Sequence, residues 1–438
     1  MLTEIFYTIS KCAELLNGLP YSAGERPRII YKRGGECYMT VKDADFSALE
    51  PEDIIDITNH DKSQLPAAAA LMESRKLNAM ILCDPPYTDI CIASRHEIPA
   101  SLDDMAQIIG PAVKIVEPDE RQISRALTKA TAVIVENSCL IVGGRNLREA
   151  FTALTVVEKS AETMLKAQVI GGVKPLGLRL SQFMHYRYQA SYSKEETKIQ
   201  DRAEGFDPEQ ADGRLEQADD AAGMSAGIPE EDFAGQDEEA SMGAVTMDSR
   251  EQELREKLVR YGNMLVEYGL VQGTWGNLSV MLDRDTMLCT PSGLSYDRLG
   301  PEDMVKVSIS TLKYEGLHKP TSEKDMHAGI YRKYPDVNAV IHTHSKYCSV
   351  FAAASMPLQV ESAERMAVLG EIIGVSKYAL AGTKRITKNA VNAMKGSPGC
   401  ILSHHGMIAK GRDLEDAFRN VQLIEEAARE YIDKRWEK

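Results

Sequence analysis

The chain repeats itself, and this constrains its fold more than any other feature. "TPSGLSYDRLGPEDMVKVS" (Thr290 to Ser308) lies over "TVKDADFSALEPEDIIDIT" (Thr40 to Thr58) without a gap. "NAVIHTHSK" (Asn338 to Lys346) lies over "NAMILCDPP" (Asn78 to Pro86), and "HHGMIAKGRDLEDAF" over "NSCLIVGGRNLREAF". The period is longer than that of any solenoid, so a whole domain has been duplicated. A chain of 438 residues has room for two domains that each bury a core.

A segment of different composition separates the copies. From Glu195 to Asp248 there are 17 acidic residues against Lys198, Arg202 and Arg214, a net charge of −14 that equals the charge of the whole chain. It is rich in Gly, Ala and Asp/Glu and poor in large apolar residues, which predicts a disordered, self-repelling spacer. The expected division is residues 1–190 for the first copy, 191–249 for the acidic linker and 250–438 for the second copy. Outside the linker, basic and acidic residues balance, so no nucleic-acid surface is expected. No apolar run approaches a membrane span. The start, "MLTEIFYTISKCAELLNG", has no basic n-region, so no signal peptide is expected. Eight scattered cysteines without a CxxC pair fit reduced thiols and a cytoplasmic protein.

Each copy has the same coarse order. An opening helix leads to two short strands, then a helix ("SEKDMHAGIYRKY" in the second copy), the "NAVIHTH" strand, a segment of helical spacing, a strand "GCILSHHGMIA" and a long closing helix. Asn146 or Asp413 caps the closing helix, which turns Ala417, Phe418, Val421, Ile424 and Ala428 to the core. The predicted class is α/β, in the layered α+β sense: a mainly antiparallel sheet covered by helices.

Chemistry concentrates in the second copy. His342 and His344 are two apart on one strand and share a face, about 6–7 Å apart at ~3.3 Å rise per residue. A second apolar strand ends in His404 and His405. Glu323 stands at the start of a helix behind Thr321 and Ser322. Three imidazoles and a carboxylate suit a catalytic zinc site. His327, one helical turn after Glu323, is placed to orient it, and His318 is expected at the surface. "GTWGNLS" (Gly273 to Ser279), "TPSG" (Thr290 to Gly293) and the hydroxyls before Glu323 bring glycines, hydroxyls and backbone N–H groups together as a phosphate cradle would.

"GTWGNLS", "TPSG", "PTSEKDMH", "NAVIHTHS" and "SHHGMIAKG" together resemble the class II aldolase/adducin family, which includes L-fuculose-1-phosphate aldolase and L-ribulose-5-phosphate 4-epimerase. The resemblance covers essentially all of Arg250 to Lys438. It implies a zinc-dependent lyase that cleaves a phosphorylated ketose by retro-aldol chemistry through a metal-stabilised enediolate. His342, His344 and His405 would bind zinc, with Glu323 as fourth ligand or base. Gly276, Asn277, Ser292, Gly293, Thr321 and Ser322 would hold the substrate phosphate. The family's ring assemblies imply a homo-oligomer. Epimerisation and dehydration start from the same kind of complex and stand as alternatives, as does an adducin-like interaction protein. The fuculose aldolase has a tyrosine after its histidine strand; here "MPLQVESAERM" has none, with Glu361 near the place. In the first copy, sequence pairing sets Leu82 and Asp84 against His342 and His344, Ser138 against His405, and Arg26 and Pro27 against Gly276 and Asn277. Glu323 falls near Ser63. The first copy is therefore expected to be a pseudo-domain with the fold and without the metal.

Overall fold

Two apolar runs, Ala79–Cys83 and Ala339–Thr343, hold equivalent places in two sheets of one plan. The computed structural model describes residues 2–22, 27–61, 64–192, 249–271 and 275–436. Residues 193–248, nearly all of the expected acidic linker, lie outside the described residues. The chain divides into two units, Met1–Gln168 with Gly172–Gln189, and Ala190–Lys438 with Val169–Gly171.

The first unit contains β1 (Arg28–Arg33), β2 (Glu36–Thr40), β3 (Ile54–Asp56), β4 (Ala79–Cys83), β5 (Ile98–Pro99), β6 (Ala112–Val116), β7 (Ala132–Val135) and β8 (Leu140–Gly144). They form one sheet in the order β3-β2-β1-β4-β8-β7-β6-β5. Every pairing is antiparallel except β6 with β7.

The second unit contains β9 (Asn277–Met281), β10 (Thr286–Cys289), β11 (Val305–Ser308), β12 (Tyr314–Glu315), β13 (Ala339–Thr343), β14 (Leu358–Gln359), β15 (Ile372–Ile373), β16 (Gly399–Leu402) and β17 (Gly406–Gly411). The order is β12-β11-β10-β9-β13-β17-β16, with β14 and β15 paired apart. A single parallel bridge, Val375 with Ile401, stands where β6 and β7 pair in the first unit.

Helices cover the second sheet. Met326, Ile330, Ile386 and Met394, from Lys324–Lys333, Lys384–Ala393 and its C-terminal edge, pack with Met287, Val305, Val340 and Ile408 in one core cluster. The closing helix Leu414–Trp436 buries Phe418, Val421 and Ile424. Burial of each such side chain is worth roughly 1.5–3 kcal/mol. Asp413 accepts from the Asp416 N–H at 2.8 Å and Asn146 from the Glu149 N–H at 2.9 Å, so both closing helices carry the expected cap. Among the described residues no helix is long and apolar enough to cross a membrane.

The register repeats as well. Ala79 faces Gly144 as Ala339 faces Gly411, and Arg28 faces Leu82 as Asn277 faces His342. Asn277 therefore corresponds to Arg28, and not to Pro27 as the ungapped sequence pairing had it. The β9–β10 hairpin is one residue longer (Val280 to Leu288, against Tyr31 to Tyr38), which slides the pairing by one position upstream of it. The expected strand "GCILSHHGMIA" is instead a hairpin, β16 and β17, turning through Ser403–His405. His404 takes the left-handed conformation there (φ 60°), and Asn137 does so at the same place in the first unit (φ 52°). A tight turn asks for that conformation, and asparagine tolerates it better than histidine. His318 is half-buried and not a free surface residue, with Nε2 2.9 Å from Asp303 Oδ1.

Candidate metal centre

Alternation along β9 and β13 decides what lines the site. Asn277 and Ser279 on β9 sit opposite His342 and Val340 on β13, so all four side chains share a face. Val340 packs with Met326 and Ile330 of the helix Lys324–Lys333, which identifies that face as the one beneath this helix. His342 therefore points at the start of the helix, where Glu323 is the N-cap. His344 follows the end of β13, and the turn at His404 brings in His405.

The three imidazoles meet. His342, His344 and His405 offer ring nitrogens that all lie within 4.8 Å of one another, and among the described residues no other group of His, Cys, Asp or Glu is placed to hold a metal ion. The His342 and His405 rings stack at 4.9 Å and 4°, and His344 meets both edge-on. His342 Nε2 is 3.0 Å from His344 Nε2 and 3.2 Å from Glu323 Oε2, while His405 Nε2 is 2.9 Å from Glu323 Oε1. The His342 and Glu323 side chains are buried.

The donor set fits a divalent cation. His342 Nδ1 lies 2.8 Å from the Met407 carbonyl and must carry hydrogen to bond it. In the neutral ring Nε2 is then a bare acceptor facing a carboxylate oxygen and a second imidazole nitrogen. Such lone pairs repel unless a cation stands among them. Burial alone pushes the Glu323 carboxyl up; without a metal, positive charge on His342 and His405, with hydrogen bonds from His405 and the Asn277 amide, outweighs it and holds the carboxyl well below the usual range.

Behind Glu323 runs a buried polar chain. Asn277 Nδ2 donates to Glu323 Oε2 at 2.9 Å, and Asn277 Oδ1 lies 2.6 Å from His327 Nε2. His327 Nδ1 is 2.7 Å from Ser279 Oγ, which is 2.7 Å from the Tyr331 hydroxyl. Burial pushes His327 down to about 3 and pushes the Tyr331 hydroxyl up, so the ring is neutral and the phenol protonated.

The segments expected to cradle phosphate converge beside this chain. Leu278 N–H donates to Thr290 Oγ1, Thr321 N–H to the Thr290 carbonyl, and Ser292 N–H to the Lys319 carbonyl. Thr321 Oγ1 accepts from the Glu323 N–H at 3.2 Å, and Ser322 is exposed at the helix N-terminus. Gly293 has φ 79°. Gly276 has φ 94°, and a Cβ there would lie 2.8 Å from the His342 carbonyl oxygen, so only glycine lets β9 enter beside β13. Gly273 and Thr274 lie outside the described residues. Asn277 is brought to the site, but its side-chain amide is engaged by Glu323 and His327. Glu361, near the missing tyrosine, pairs with Arg435 and Lys434 of the closing helix.

Sequence reasoning missed two features. One is the Ser279 and Tyr331 end of the buried chain; the signal available was the i, i+4, i+8 spacing of Glu323, His327 and Tyr331 on one helix face. The other is Glu425 on the closing helix, which accepts from Ser345 Oγ and the Tyr347 and Cys348 N–H groups, clamping the chain just after His344. Glu158 does the same for Tyr87 and Thr88 in the first unit. There, Leu82 is core, Asp84 is half-buried, and Ser63 lies outside the described residues.

A family model described as the class II aldolase and adducin N-terminal domain matches residues 22–165 and again 256–432. A 5-methylthioribulose-1-phosphate/5-deoxyribulose-1-phosphate aldolase of Rhodospirillum rubrum is 38% identical over 178 residues, which are 41% of this chain and 80% of that protein. A 5-deoxy-D-ribulose 1-phosphate aldolase of Bacillus thuringiensis is 35% identical over 181 residues, 41% of this chain and 84% of that one. Among solved structures, an L-fuculose 1-phosphate aldolase is 36% identical with a TM-score of 0.40, covering 43% of this chain and 88% of its own.

Proposed function

The chain belongs to the class II aldolase and adducin family, and we propose from this premise that residues 250–438 are a zinc-dependent lyase cleaving a ketose 1-phosphate. Residues 1–190 are then a pseudo-domain, and 191–249 a linker. Most weight falls on the meeting of His342, His344 and His405 at Glu323, with the His342 tautomer fixed by Met407. The two relatives named for ribulose 1-phosphates carrying a deoxygenated or methylthio C5 make those sugars the first candidates.

His342, His344 and His405 would hold the ion, with Glu323 as ligand or base. When bound, a divalent metal supplies a Lewis acid that draws charge from the substrate's oxygens. Gly276, Ser292, Gly293, Thr321, Ser322 and the backbone of Asn277 hold the phosphate, at the N-terminal end of the helix Lys324–Lys333. In the synthetic direction a Glu323 oxygen takes a proton from C3 of dihydroxyacetone phosphate. In cleavage the C4 hydroxyl proton passes to water, and the C4–O carbonyl of the aldehyde forms as the C3–C4 bond breaks. The C3–C4 electrons pass into the enediolate, and Glu323, having taken a proton from water, delivers it to C3. The enzyme is cytoplasmic and works as a homo-oligomer.

The test is a panel of ketose phosphates assayed for triose phosphate release, with and without chelator, alongside elemental analysis. Chelator-sensitive release of dihydroxyacetone phosphate is expected. Epimerised or dehydrated product without triose phosphate would move the chain to another branch of the family, and a metal-free inactive chain would leave an interaction module.

A further inference from the structure

The buried chain behind Glu323 has a forced direction. A carboxylate only accepts, so Asn277 must turn its NH2 toward Glu323 and its oxygen toward His327. His327 Nε2 must then carry hydrogen. Its Nδ1, bare in the neutral ring, must accept from Ser279 Oγ, and Ser279 in turn accepts from the Tyr331 hydroxyl. Reversing any one link would set the Asn277 oxygen against the carboxylate.

The first unit supplies a control for what the fold itself needs. Ser279 faces Val340 as Ile30 faces Met80, so Ile30 is its equivalent. The helix Pro66–Glu73 precedes β4 by the interval at which Lys324–Lys333 precedes β13, which sets Ala67 and Leu71 at the places of His327 and Tyr331. Ile30, Ala67 and Leu71 are buried in a single apolar cluster. The same sheet and helix therefore close over apolar residues in one copy and over serine, histidine and tyrosine in the other. Buried polar groups cost stability unless paired, and the fold does not require these.

We propose that Tyr331, Ser279 and His327 are positioning residues which fix the Asn277 amide and, through it, aim the Glu323 carboxylate between His342 and His405. This rests on Glu323 being a metal ligand or base, as read above. The hydrogen-bonded route from these three to Glu323 runs through Asn277.

The experiment uses the full chain labelled with 15N-histidine, stripped of zinc by chelation, with the His327 signals assigned by their loss in His327→Gln. A ring held as the neutral Nε2–H tautomer is expected. A ring populated as Nδ1–H, or exchanging between tautomers, overturns the relay whatever metal the chain binds. The second arm sets Ser279→Ala beside Ser279→Thr. Loss of an outer partner of a metal site typically costs about 10–100-fold in affinity or activity, so Ser279→Ala is expected to weaken zinc retention against a competing chelator and lower kcat by that order, with KM little moved. Ser279→Thr keeps the hydroxyl and is expected to restore both. Wild-type tautomer, zinc retention and kcat in Ser279→Ala overturn the proposal. A wild-type chain with the expected tautomer but no affinity for zinc leaves the relay standing and removes the metal reading instead.

Discussion

Asn277 and His342 stand directly opposite each other across β9 and β13, and both side chains reach the same carboxylate, Glu323. The strand pair thus delivers one imidazole and one amide to the same point. The helix whose N-cap is Glu323 closes over them.

Replacing Glu323 with glutamine keeps the shape and the Asn277 contact but removes the group proposed to carry the proton. A general base commonly contributes about 10²–10⁴-fold, and kcat is expected to fall by that order while circular dichroism and the unfolding midpoint of the metal-free chain stay near wild type. Turnover within a few-fold of wild type would place the base elsewhere.

Metal content follows from the unequal copies. One divalent ion per chain is expected from elemental analysis of the full protein, falling to near zero in His405→Ala or His342→Ala. Two ions per wild-type chain, or one retained in both variants, would put metal outside the triad.

Acid should weaken the metal-free fold through His327. Its folded pKa is pushed down to about 3 by burial, from the ordinary 6.5. The unfolded ring binds its proton first, so the contribution is complete above pH 6.5 and is lost as pH falls toward 3. Glu323, depressed from 4.5, adds a loss of the same sign at the lower end only. Denaturant unfolding of the metal-free chain at pH 7 and pH 5 is expected to show a smaller drop in His327→Gln than in wild type. Equal drops would mean that the His327 ring takes up its proton in the folded chain as readily as in the unfolded one.

The fold was largely legible because duplication prints each apolar frame twice, and His342, His344, His405 and Glu323 stood out because such residues have no place in a frame that the first copy fills with Leu82 and Ser138. Three things were not legible. The hairpin at His404 reads as one strand because its flanks are continuously apolar, and only the backbone reveals the left-handed turn. The extra residue between β9 and β10 hid the equivalence of Asn277 and Arg28, since short turns leave no compositional mark. The role of the Asn277 side chain depends on contacts with Glu323 and His327 from another element, 46 and 50 residues away in the chain. Nothing local in "GTWGNLS" separates an orienting amide from a phosphate ligand.

Gly276→Ala should injure the site from the backbone side. A left-handed conformation costs a side chain about 1–2 kcal/mol, and the new Cβ would press on the His342 carbonyl and Val271. A lower unfolding midpoint and weaker zinc retention are expected together, since relief must shift β13 at His342. Lower stability with unchanged zinc affinity would mean that the strand yields elsewhere.

Leu82 offers the sharpest contrast with His342, because the two hold one position in two sheets. Leu82 is in the apolar core of its unit, and truncation of such a side chain to alanine costs about 2–5 kcal/mol. His342→Ala removes a ligand and little apolar surface. Leu82→Ala is therefore expected to lower the unfolding midpoint of the first unit and leave zinc content and turnover per folded chain unchanged, whereas His342→Ala should abolish both with a smaller effect on the metal-free fold. If Leu82→Ala, assayed well below its unfolding transition, loses turnover as His342→Ala does, the first unit takes part in the chemistry and is more than a packed copy of the fold.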